Sequence, residues 1–203
     1  MSDMPKFKAE ELLEIGVRIF VAAGVVEFTA TDLMKSLVLA NLLGVDSHGV
    51  MRIGQYIKAI KSGSIVPDVE AKIVRENEVI VLLDGCKGFG QIVSKKAMRL
   101  AIDKARRHGV GIACFTNVYH VGRLGEYVSM AAEEGFIGIM FVNGSRPGGL
   151  VTPFGARQRV FGTNPIAFAI PAGSYPPLLA DFATSAAAEG YLRIVVVFSM
   201  ARA

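Results

Sequence analysis

The sequence predicts an α/β fold, with helices at the N-terminus followed by a mixed sheet that contains a βαβ crossover. Three observations carry this. Residues 8–63 hold three apolar patterns at helical spacing, each closed by a glycine. Short β-like runs follow, and then apolar strand-like segments alternate with helical ones. The stretch from Asn143 to Gly190 is dense in Gly and Pro, as turn-laden strand and loop would be.

In the first helix Leu12, Leu13, Val17, Phe20 and Val21 share a face, and Gly24 stops it. Thr31 and Asp32 are candidate caps for a second helix that runs to Leu43 and ends at Gly44. The loop "VDSHG" comes next. A third helix begins near Val50, with Arg52 in its first turn and Ile53, Tyr56, Ile57 and Ile60 on its apolar face. "AKIVRE" and "VIVLLDG" read as strands. A helix over about Gln91 to Arg107 turns Val93, Ala97, Leu100, Ala101 and Ala105 inward. "VGIACF" and "FIGIMFV" read as buried strands around the helix "GRLGEYVSMAAEEG", an arrangement that favours a parallel pair.

Composition narrows the function classes. The 203 residues suffice for one large domain or two small ones, and 52% of them are hydrophobic. Prolines 165, 171, 176 and 177 break the longest uncharged run, so no spanning helix is expected there. The charged N-terminus has no signal-peptide core, and a soluble, cytoplasmic protein is expected. Net charge is +4 without a long basic run, which argues against nucleic acid and is compatible with a small anionic ligand. Cys86 and Cys114 have neither zinc nor redox spacing and are expected as unbonded thiols; no metal site is expected.

Four stretches carry candidate chemistry. In "DSHG", His48 sits at a loop tip after Ser47, with Arg52 four residues on; the alternative is a loop histidine that only bonds backbone. In "YHVGRLGEY", His120 and Arg123 lie where a strand gives way to a helix, a place receptive to anions. There Arg123 either clamps a carboxylate or pairs with Glu126. In "FGTNP", Asn164 precedes a proline, is expected to be extended, and either meets a ligand or merely turns the chain. In "LLADFATS", Asp181 either borders a polar pocket or caps a helix. No GxGxxG fingerprint follows a strand, and no P-loop is present. The residues alone therefore point to acid–base work on an anionic substrate.

Taken together, "GVDSHGVMRIGQY", "HVGRLGEY", "TPFGARQRVFGTNPIAFAIP" and "DFATSAAAEG" resemble, in order and spacing, the malate/L-lactate dehydrogenase family, over about Glu10 to Gly190. The resemblance implies a non-Rossmann nicotinamide-binding fold. It also implies hydride transfer between NAD or NADP and a small 2-hydroxy or 2-keto acid, in a homodimer. It assigns catalysis to Ser47, His48, Asp181 and His120, with His48 or His120 as the proton donor or acceptor and His48 set ahead. Arg52, Arg123, Thr163 and Asn164 are assigned to the substrate. Asn143, Ser145, Leu179, Asp181, Phe182, Ala183 and Thr184 are assigned to the cofactor. Tyr191 stands where the family has lysine, and "YLRIVVVFSMARA" departs from the family pattern. The expected division is therefore a family-like domain over residues 1–190 and a divergent tail over 191–203, truncated or frameshifted. A non-catalytic remnant and a Ser–His–Asp hydrolase are the alternatives.

Overall fold

The computed structural model describes residues 6–144 and 149–186. The chain divides into two compact units, residues 1–123 and 124–203. Ser145 and the tail 191–203 lie outside the described residues.

The first unit opens with α1 (Ala9–Ala22) and α2 (Glu27–Leu42). The glycines expected to end both helices do so in the left-handed region, Gly24 at φ +88° and Gly44 at φ +74°. The start of α2 differs from the sequence reading. It begins at Glu27, so Thr31 and Asp32 lie inside it. The amide of Val26, just before the helix, donates instead to Asp68 Oδ2 at 2.7 Å, and Asp32 pairs with the buried Lys95 at 2.6 Å. Two 3₁₀ turns, Asp46–His48 and Val50–Arg52, lead into α3 (Ile53–Lys61). Arg52 thus precedes the helix rather than lying within its first turn.

Phe20, Leu33, Met34, Leu37, Tyr56, Ile65 and Phe89 form the core against these helices. Phe20 meets Phe89 edge-on with ring centroids 6.1 Å apart, and Phe89 meets Tyr56 at 6.3 Å.

Three strands follow in the order β1 (Lys72–Glu76), β2 (Ile80–Asp84) and β3 (Ile112–Thr116). The pair β1–β2 is antiparallel and β2–β3 is parallel, so the sheet is mixed. A parallel pair needs a long crossover connection, which α4 (Gly90–His108) supplies. Arg106, Arg107 and His108 fill its last turn, where the helix dipole favours positive charge. The crossover is therefore β2–α4–β3. The segment from 110 to 141 does not form the expected parallel pair, because its two strands belong to different sheets. "VGIACF" is also not buried: Ile112 and Cys114 are exposed and Ala113 and Phe115 half-buried. Apolar residues on a strand record its chemistry, not which of its faces this chain covers. Cys86 and Cys114 are free thiols.

The turn after β2 is held by one carboxylate. Asp84 Oδ1 accepts from the Cys86 amide and from Asn117 Nδ2, both at 2.8 Å. Cys86, Lys87 and Asn117 all have positive φ. The Cys86 amide, and after it the Asn117 side chain, hold the Asp84 carboxyl below its ordinary value. A depressed folded-state value means stabilisation that is present above the ordinary carboxyl range and lost as pH falls through the lower folded-state value. Urea unfolding at stepped pH is expected to show Asp84→Asn losing less stability than wild type across that acid limb. Parallel acid limbs would remove Asp84 from the account.

The second unit contains α5 (Gly125–Glu133) and the antiparallel sheet β4 (Gly138–Phe141), β5 (Ile166–Ala172) and β6 (Tyr175–Phe182). Tyr127, Val128, Ala131, Met140, Ala167 and Ala169 are buried. In β4 only alternate residues are covered; Ile139 and Phe141 are exposed, so this strand too is half-buried. Arg123 precedes α5 instead of lying in its first turn. Among the described residues, no helix is long and apolar enough to cross a membrane.

Candidate functional site

The described groups of the histidine site lie in the first unit. His48 closes the first 3₁₀ turn, and His120 follows β3 in the segment 117–123. Their rings stack, with centroids 5.4 Å apart and planes 23° from parallel. The two loop histidines singled out from sequence therefore share one site.

The loop that carries His48 is fastened from α2. Asn41 Nδ2 donates to Asp46 Oδ1 at 2.5 Å, and Asn41 Oδ1 accepts from the Val50 amide at 2.8 Å. Gly49 packs against that Asn41 side chain, where a Cβ would collide with it. Ser47 Oγ lies 3.0 Å from His48 Nδ1. The tight 3₁₀ turn folds one side chain back on the next. Arg52 is 3% exposed and braces the same loop. Its Nε donates to the Ser47 carbonyl at 2.6 Å and its Nη1 to Gln55 Oε1 at 2.7 Å. Gln55 in turn donates to the Tyr119 hydroxyl at 3.3 Å.

His120 is held from α3 and α4. Tyr56, fully buried, places its hydroxyl 2.7 Å from His120 Nδ1. Gln91 Nε2 donates to that hydroxyl at 2.6 Å. Burial, partly offset by the Gln91 bond and the Arg52 charge, pushes the Tyr56 hydroxyl well above its ordinary value, so it stays protonated. Sequence reading placed Tyr56 on an apolar helix face and passed over Gln91. The signal was present in "GVDSHGVMRIGQY" as a polar tip on an otherwise apolar stripe.

Gly90 allows this close approach. A Cβ there would lie 2.5 Å from the carbonyl oxygens of both Tyr119 and His120. Backbone cannot move aside as a side chain can, so Gly90→Ala is expected to cost about 1–3 kcal/mol and to displace His120. Urea unfolding and the His120 NMR signal check this; an unshifted signal with native stability would count against it.

Arg123 is half-buried and follows Gly122, whose φ of +77° is set where the Gln91 side chain packs against it. The remaining assigned residues lie in the second unit. Asp181 on β6 accepts from the Gly125 amide at the start of α5, 2.7 Å away, and so caps a helix. Thr184 Oγ1 donates to the Asn164 carbonyl at 2.8 Å, and its amide donates to the Thr163 carbonyl at 3.1 Å. Asn164 is not extended; its φ is +41°. Asn tolerates this region, and the conformation aims its carbonyl at Thr184. Asn164 Oδ1 is buried without a hydrogen-bond partner. Leu179 and Phe182 are exposed, Ala183 is half-buried and Asn143 is exposed. Among the described residues, no group of three or more His, Cys, Asp or Glu could hold a metal.

Residues 7–196 match the malate/L-lactate dehydrogenase family. The chain is 46% identical over 185 residues to a malate dehydrogenase of Pyrococcus abyssi, covering 91% of this chain and 50% of the relative. It is 39% identical over 183 residues to an L-sulfolactate dehydrogenase of Methanocaldococcus jannaschii, covering 90% and 52%. The structure of malate dehydrogenase from Pyrococcus horikoshii OT3 superposes with a TM-score of 0.87 at 41% identity, over 93% of this chain and 53% of that one. The chain spans about half the length of the relatives it matches.

Proposed function

Because the chain belongs to the malate/L-lactate dehydrogenase family, we propose that its histidine pair carries the proton in hydride transfer between NAD or NADP and a small 2-hydroxy or 2-keto acid. The observation that supports this most is the stacked pair itself, with one ring braced by a phenol that burial keeps protonated. A ketone accepting hydride gathers negative charge on oxygen, and an imidazolium beside it donates the proton. His120 is taken as the carrier because its Nδ1 is bonded to a fully buried phenol, with Nε2 as the exchanging nitrogen. His48, steadied by Ser47, packs against it and limits the ring's motion. Arg123 receives the substrate carboxylate, while Arg52 acts on the ligand by shaping the loop that it braces. Thr163 and Asn164 complete the proposed substrate contacts.

The nicotinamide supplies the hydride when bound. Exposed Leu179 and Phe182 offer apolar surface to its ring, and the partnerless Asn164 Oδ1 is an acceptor suited to a carboxamide N–H. Asn143, Ala183 and Thr184 belong to the same proposed set, and Asp181 contributes by fixing the end of β6. The protein is proposed to act in the cytoplasm as a homodimer. Loss of absorbance at the reduced-nicotinamide band, with NADH and NADPH against a panel of 2-keto acids, tests the reading and chooses the cofactor. No oxidation with any pair would end it. The Ser47–His48 contact favours one other reading, acyl transfer from Ser47, and turnover of an ester substrate would support that instead.

A further inference from the structure

The bonds behind His120 contain an imbalance. Tyr56 receives a hydrogen bond from Gln91 Nε2, while Gln91 Oε1 is buried with no partner. A buried amide oxygen without a donor is uncommon and needs a reason. The reason lies in what Tyr56 must do when His120 changes protonation. With Nδ1 bare, the Tyr56 O–H donates to it, and the phenol oxygen accepts from Gln91 Nε2. With Nδ1 protonated, the ring donates to the phenol oxygen, and the Tyr56 proton needs another acceptor. Gln91 Oε1 becomes that acceptor if the amide turns over about its Cγ–Cδ bond, which exchanges the places of Oε1 and Nε2.

We propose that Tyr56 and Gln91 are positioning residues that form a reversible donor–acceptor relay behind His120, with the Gln91 amide turning over as Nδ1 gains or loses its proton. The Tyr56 hydroxyl then both donates and accepts in each protonation state of the ring. The purpose of the relay rests on the proposed role of His120 as proton carrier. When the imidazolium gives its Nε2 proton to a substrate oxygen, the neutral ring left behind bears its remaining proton on Nδ1. That tautomer is tolerable only if Tyr56 can accept, and Tyr56 can accept only if Gln91 can take the phenol proton. Among the described residues, His48 stacks on the ring, and Tyr119 and Arg52 act on Tyr56. All of these are unchanged in the variants below, so differences between proteins isolate the relay.

The test is an NMR titration of the ¹⁵N-labelled chain, following the histidine ring nitrogens by long-range proton–nitrogen correlation. In wild type the neutral His120 ring is expected as the Nε2–H tautomer. In Gln91→Met the neutral state loses the bond from Nε2 to the phenol oxygen, but the protonated state leaves the buried phenol proton without an acceptor, the costlier loss, so the His120 pKa is expected to fall. In Gln91→Glu a permanent acceptor faces Tyr56, and the pKa is expected to rise. A neutral wild-type ring found as the Nδ1–H tautomer overturns the proposal, and so does a His120 titration unmoved by both substitutions. The wild-type tautomer needs no variant to fold. The titration does not depend on turnover, so a moved pKa with His120 dispensable for catalysis would retain the relay and reject the proposed function.

Discussion

Replacing His120 with alanine is expected to lower 2-keto acid reduction by roughly 10²–10⁴-fold, the usual worth of a positioned proton transfer. The rate is to be measured on the chain extended by the second half of a relative, with reduced nicotinamide as the signal. The loss should fall mainly on turnover and much less on cofactor affinity, because the ring is held by Tyr56 and His48 within the first unit, whereas the residues assigned to the cofactor lie in the second. His48→Ala should cost less. It removes a stacking neighbour and the contact to Ser47, but leaves Nδ1 of His120 bonded to Tyr56. A pH–rate profile separates the two: the ionisation seen in wild type should vanish in His120→Ala and persist, shifted, in His48→Ala. If the ordering is reversed, His48 is the proton carrier and His120 its support.

The second large effect concerns stability. Phe20 is fully buried and touches Phe89 edge-on, and Phe89 in turn meets Tyr56. Phe20→Ala is expected to cost about 3–5 kcal/mol, the sum of lost transfer energy and the cavity left behind. Phe28, eight residues on and 81% exposed, provides the control; its replacement should stay within about 0.5 kcal/mol of wild type. Urea midpoints at constant slope measure both. A Phe20→Ala protein as stable as Phe28→Ala would mean that the core repacks into the space. The aromatic chain runs on to the site, so the His120 resonance should also broaden or shift in Phe20→Ala.

Sequence patterns located the helices and most helix ends well, because glycine in the left-handed region is a local signal carried by one residue. Helix starts were less legible. The amide preceding α2 is met by Asp68 and the first amide of α5 by Asp181, 42 and 56 residues away along the chain. A cap supplied across such a distance leaves no trace beside the helix it serves, so Thr31 and Asp32 were natural but mistaken choices. Strand burial failed for a related reason. Apolar alternation tells which side chains favour contact, and Ile112 and Phe141 remain exposed nonetheless. The site showed the same division. His48 and His120 stood out because loops with histidine and glycine are locally conspicuous. Tyr56 and Gln91 were hidden because each sits on a helix whose spacing is satisfied by ordinary packing.

The bond between Asp181 and the Gly125 amide has a consequence for motion. The β5–β6 hairpin turns at Gly173 and Ser174, and Ala172 pairs with Tyr175 beside that turn. Asp181 lies at the far, open end of the ladder. An amide at the first turn of a helix ordinarily exchanges its hydrogen with solvent quickly, since no preceding carbonyl protects it. Here exchange at Gly125 must wait until the end of β6 separates from α5. Deuterium uptake at this one amide therefore reads the rate at which the hairpin's open end frays, and should match that of the Phe182 end of the ladder rather than that of its neighbours in α5.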